Sequence, residues 1–201
     1  MFKLELHIPG GEQRERDMRN AAILISLLCS ISGVPAAANA TPQGERVPSY
    51  DDELRGIESC AGPEGYGAFL QSLYEAYAVD ASGPDGYLAS KPGAEVFWPF
   101  GGDYPDGRST ARKNGDILHI EIPVRATYYS VPLSRMIFEF GLAYNYSSET
   151  FVFDASRSEI EARFGAALAN EEKNRQALYG DSGWAYVHDS EPGAFTCDYS
   201  D

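Results

Sequence analysis

Apolar side chains recur along this chain in two rhythms. Tyr66, Phe69, Leu70, Leu73, Tyr74 and Tyr77 follow one another at steps of three and four residues, the spacing that puts a single stripe on a helix. Gly83-Pro84-Asp85-Gly86 ends that helix, because its residues favour turn backbone. From Asp116 the period becomes two. Leu118, Ile120, Ile122 and Val124 alternate with Ile117, His119, Glu121 and Pro123, which predicts a strand with one apolar face. Arg135 to Tyr146 alternates again, with Met136, Phe138, Phe140, Leu142, Tyr144 and Tyr146 on one side. Thr150 to Asp154 resumes the pattern after Ser147-Ser148, and two such runs this close predict an antiparallel hairpin. Gly141 reads as a bulge within the first run.

The helical rhythm then returns. Ser156 with Glu159 forms the pattern of a capping box, followed by a stripe of Ile160, Phe164, Ala167 and Leu168. Glu171 to Tyr179 fits either a continuation or a break near Asn170, and Gly180 is the stop. Trp184 to His188 and Ala194 to Tyr199 read as closing strands joined around Pro192-Gly193. Earlier, among the turn pairs Asp85-Gly86, Gly101-Gly102, Asp106-Gly107 and Asn114-Gly115, the run Glu95 to Phe100 predicts a short edge strand interrupted by Pro99. Helix, strands, helix, strands predicts an α+β fold: a small single domain over 59–201 with an antiparallel sheet packed by two helices. A polar, proline-bearing stretch over 41–58 reads as its extended lead-in.

The N-terminal stretch has another character. Residues 18–40 open on Met18-Arg19, run through the apolar Ala21–Leu28 and close on Ala36-Ala37-Ala38-Asn39-Ala40. A positive start, a short apolar centre and a small-x-small ending predict a secretory signal peptide cleaved after Ala40. An anchor is disfavoured, since spanning a bilayer takes about 20 apolar residues and Ser30, Ser32 and Gly33 dilute the run. Residues 1–17 do not suit the front of a leader: Glu12, Glu15 and Asp17 stand where positive charge belongs. Gly10 to Arg16 can be encoded almost wholly by purines, so 1–17 reads as a mis-assigned upstream start, with translation beginning at Met18. The expected location is the periplasm or outside the cell.

Composition sharpens this. The 201 residues carry 30 acids and 16 bases, a net charge of −14. Residues 1–40 hold four of each, so the remaining 161 residues keep the whole excess. Such a surface disfavours nucleic acid and anionic membrane, and favours cationic proteins. Only Cys60 and Cys197 lie beyond residue 40, and in an oxidising compartment that pair predicts one disulfide. A catalytic thiol would need a positive setting, whereas Glu58, Glu64 and Asp198 lie nearby in sequence.

Catalytic signatures are sparse. Beyond residue 40 there are two histidines, His119 and His188, neither with a second histidine or cysteine at ligand spacing, so no metal site and no cofactor are expected. His119 and Glu121, two apart in a strand, offer a weak dyad. No phosphate loop, dinucleotide fingerprint or nucleophile elbow occurs. Phe97, Trp98, Phe100 and Tyr104 cluster in a Pro/Gly-rich segment, where rings could stack on sugars or anchor a protein, or fold back as a lid on the core. The leading expectation is an exported, non-enzymatic binding or inhibitor-like module for a basic envelope or extracellular protein, such as a lysozyme-like hydrolase. The alternatives are a cell-wall glycan binder using the aromatic segment and an envelope hydrolase centred on His119.

Overall fold

The computed structural model describes residues 46–180 and 183–199. The leader 18–40 and the upstream segment 1–17 lie outside the described residues. A 3₁₀ turn (Ile57–Ser59) precedes helix α1 (Tyr66–Tyr77); strands β1 (Gly86–Leu88), β2 (Thr110–Asn114), β3 (Ile117–Tyr128), β4 (Val131–Gly141) and β5 (Ser147–Phe153) follow. Helix α2 (Arg157–Tyr179) then leads to β6 (Ala185–Val187) and β7 (Ala194–Asp198). Every pairing between these strands is antiparallel, in one seven-stranded sheet of order β1-β2-β3-β4-β5-β7-β6. The fold is mixed α+β, and its sheet is larger than the small one expected, because the turn-rich segment before Asn114 contributes β1 and β2.

One face of the sheet carries the aromatic core. Phe69 of α1 is fully buried, its ring 5.4 Å from Phe138 of β4 and 5.4 Å from Phe100. Phe164 of α2 stands 5.2 Å from Phe195, 5.4 Å from Phe153 and 5.6 Å from Tyr128. Each such ring removed from water contributes roughly 2–3 kcal/mol. The capping box of α2 is present: Ser156 accepts from the Glu159 amide while Glu159 accepts from the Ser156 amide. Ile160, Phe164 and Leu168 are its buried stripe. The helix continues through Asn170 to Tyr179, supported by an Arg175–Glu171 pair one turn apart, and ends where Gly180 adopts φ 83°. Cys60 and Cys197 are disulfide-bonded, tying the end of the 3₁₀ turn to β7. No helix among the described residues is long and apolar enough to cross a membrane.

Several local expectations are corrected. Glu95 to Phe100 is not a strand. Pro99 supplies no N–H, and the segment lies along α1 instead, with the Lys91 amide donating to Ala76 O and the Phe97 amide to Ser72 Oγ. The alternating run after Arg135 stops at Gly141, where the chain turns back and the Gly141 amide donates to Tyr146 O at 2.8 Å. Gly141 marks a close approach and not a bulge, since a Cβ there would sit 2.4 Å from Tyr144 O; the register shift of that hairpin falls between Leu133 and Arg135. Nor is the stretch before residue 58 merely extended. Ser49 bridges to Thr127, and Tyr50, Leu54 and Ile57 are buried in the core.

Candidate functional site

The aromatic segment is folded against the core, with one ring left out. Phe100 is 3 % exposed and packs on Tyr50 and Phe69. Trp98 is half-buried against Phe69, Phe100 and Tyr104, and its indole Nε1 donates to Gly101 O at 3.2 Å. Tyr104 stands 3.3 Å from the hydroxyl of Tyr77, which also donates to Asp106. Phe97 alone projects, 52 % exposed. The four candidate contacts therefore divide into three lid residues and one exposed ring.

This lid has a cleft on each side. On one, Asp52 and Glu53 from the turns after Tyr50, Pro63 and Glu64 before α1, Tyr66 at its start and Pro99 of the lid surround about 230 Å³. Its rim is acidic and its walls include two prolines. On the other, Trp98, Gly101, Gly102, Asp103 and Pro105 line about 380 Å³ together with Arg46, Arg108 and Arg125. Phe69, fully buried, packs beneath the lid against Trp98 and Phe100.

Tyr66 joins the acidic cleft to the interior. Its hydroxyl donates to Glu149 Oε2 at 2.8 Å, and Glu149 is 3 % exposed in the middle of the sheet. Burial pushes the Glu149 carboxyl up to about 8, against which the Tyr66 hydrogen bond acts in part. Burial first, and the neighbouring Glu149 second, hold the Tyr66 hydroxyl well above its ordinary range. Sequence reading missed Glu149, although a carboxylate in phase with Phe151 and Phe153 on an apolar face was the available signal.

His119 and Glu121 do not form a dyad. His119 lies directly opposite Glu139 in the β3–β4 register, and His119 Nδ1 is 2.9 Å from Glu139 Oε1. Glu139 Oε2 also accepts from Tyr146 at 3.0 Å and Ser148 at 3.4 Å. These donors, His119 foremost, hold the Glu139 carboxyl below the usual range although partial burial opposes them. Glu121 lies 3.8 Å from Arg135 instead. A directly opposed cross-strand neighbour is nearer than a residue two positions along the same strand, which is why a single-strand reading chose the wrong carboxylate. Among the described residues, no three His, Cys, Asp or Glu side chains gather as a metal site.

No protein-family model, no curated protein and no solved structure matches the chain.

Proposed function

We propose that this chain is an exported, non-enzymatic binding module that docks a cationic protein at the acidic cleft beside the lid. The observation carrying this reading is the cleft's make-up: Asp52, Glu53 and Glu64 around an opening walled by Pro63 and Pro99. Long basic side chains lay an aliphatic stem on apolar walls and keep the charged head at a polar rim, and this opening offers both. Phe97, two residues from Pro99, adds an exposed ring of the kind that anchors protein interfaces. The −14 net charge favours encounter with a positive partner over long range. Export is supported by the leader-like stretch 18–40 and by the disulfide.

Binding is favoured over turnover by the arrangement around His119. The hydroxyls of Tyr146 and Ser148 are bonded to Glu139 and not to the imidazole, so neither is placed as a base-activated nucleophile.

Pull-down and calorimetry against cationic envelope proteins, lysozyme among them, test the proposal. Raising salt from about 0.1 M to about 1 M shortens the screening length from about 10 Å to about 3 Å. Binding should weaken accordingly, and Glu53→Gln with Glu64→Gln should weaken it at low salt. Affinity indifferent to both would refute the reading.

A further inference from the structure

We propose that a third cleft, between α1 and the turn joining β4 to β5, binds an uncharged sugar ring of a glycan chain. Gly67, Gln71 and Tyr74 of the helix and Tyr144, Asn145 and Tyr146 of the turn are among the ten residues around about 280 Å³. The first argument is charge. Asp, Glu, Lys and Arg make up 23 % of the chain, so ten lining residues would ordinarily include about two. This cleft has none, whereas both clefts beside the lid are charged. An ionic ligand would shed water here without meeting a counter-charge; an uncharged polyol avoids that cost.

The second argument is the setting of the rings. Tyr146 is tied through its hydroxyl to Glu139 at 3.0 Å and Ser148 at 3.2 Å, and Tyr74 packs edge-on to Phe140 at 5.5 Å. Tyr144 stands 6.0 Å from Tyr146 with 53 % of its surface exposed. The Gly141 amide donates to Tyr146 O and the Tyr146 amide to Tyr144 O, so the turn presents its rings before a ligand arrives. The C–H face of a sugar suits such rings, and Gln71 and Asn145 add side-chain amides. A proline-rich peptide would also lie on tyrosines, but its prolines offer acceptors and no N–H. Sugar hydroxyls donate as well as accept, which matches amides that do both.

The third argument is a gap in the helix. Gly67 shares a face with Gln71 and Tyr74, four and seven residues on. A Cβ at Gly67 would meet nothing within 4 Å, and its φ is ordinary. Alanine would make the more stable helix there; glycine leaves that space open in the cleft it lines.

No residue lines both this cleft and the acidic one, so neither proposal rests on the other. The test is calorimetry on the protein with cellotetraose and chitotetraose, with tetragalacturonate and a polyproline peptide alongside. A neutral sugar should bind saturably at millimolar concentration or below, with the charged sugar and the peptide each at least about tenfold weaker. Gly67→Ala and Tyr144→Ala should each weaken that binding about tenfold or more, neither lowering the melting temperature. Should either variant unfold, Gln71→Ala supplies the same reading. No saturation by either neutral sugar, equal or tighter affinity for tetragalacturonate or the peptide, or affinity unchanged in the variants would overturn the proposal.

Discussion

Tyr66 at the start of α1 donates its hydroxyl to Glu149 at the centre of β5, 2.8 Å away, and both side chains are buried. This bond joins the first helix to the sheet where β5 meets β7, with Glu149 directly opposite the disulfide residue Cys197 in register. A carboxyl so placed makes stability depend on pH.

Burial raises Glu149 to about 8 from an ordinary value of 4.5. Between those values the folded chain keeps a proton that the unfolded chain releases. The contribution is therefore fully present below the unfolded value and is lost as pH rises through the folded one. At about 1.4 kcal/mol per unit, the ceiling is about 5 kcal/mol. Urea unfolding at about pH 5 and about pH 8 should show the wild-type chain losing stability relative to Glu149→Gln. Parallel behaviour of the two chains would contradict the assignment.

Cys60 and Cys197 close a loop with a sequence separation of 137. On the loop-entropy model, opening it costs about 5 kcal/mol. The Cys60→Ala/Cys197→Ala double variant should lose about that much in denaturant unfolding. A loss under about 1 kcal/mol would mean that the bridge adds little to what packing already secures.

Phe97 and Phe100 sit three residues apart in the same lid yet should behave oppositely. Phe100→Ala removes a ring packed on Tyr50, Phe69 and Trp98 and should cost about 3–5 kcal/mol. Phe97→Ala should stay within about 0.5 kcal/mol of wild type while weakening capture of a cationic partner. Equal destabilisation by the two would show that Phe97 is packed and not presented.

Gly193 lies where β7 begins, and a Cβ there would stand 2.4 Å from Phe153 O and 2.8 Å from Ala155 O. Backbone cannot yield as a flexible side chain does, so Gly193→Ala should destabilise by at least about 1–3 kcal/mol. Gly107, with nothing near its Cβ position and an ordinary φ, is the matched control; similar melting temperatures for both alanine variants would refute the crowding argument.

The elements legible in the sequence were those whose signal is local. The stripe from Tyr66 to Tyr77 coincides with α1 because three-and-four spacing admits one buried helix face. Ser156 and Glu159 set the start of α2 through contacts within one turn. The short strands β1 and β2, three and five residues long, were not legible. β2 pairs along the edge of β3 and β1 along β2, and runs this short hold too few alternating positions to announce a strand.

What the sequence alone determined was the alternation of apolar and polar positions, the capping of α2, the acidity of the chain and the availability of two cysteines beyond residue 40. Tertiary structure decided which residues meet. The β3–β4 turn shows the difference: Tyr129 and Ser130 take φ values of 48° and 66°, a conformation few side chains favour. It is held by the Tyr129 amide bonding Asp51 at 2.6 Å and by Arg163 lying over the Tyr129 ring. That turn and the register shift between Pro123 and Ala126 together set His119 against Glu139, and the sheet lets β5 carry Glu149 beneath Tyr66. Such pairings join residues far apart in the chain, and periodicity, which compares only neighbours along the sequence, contains no term for them.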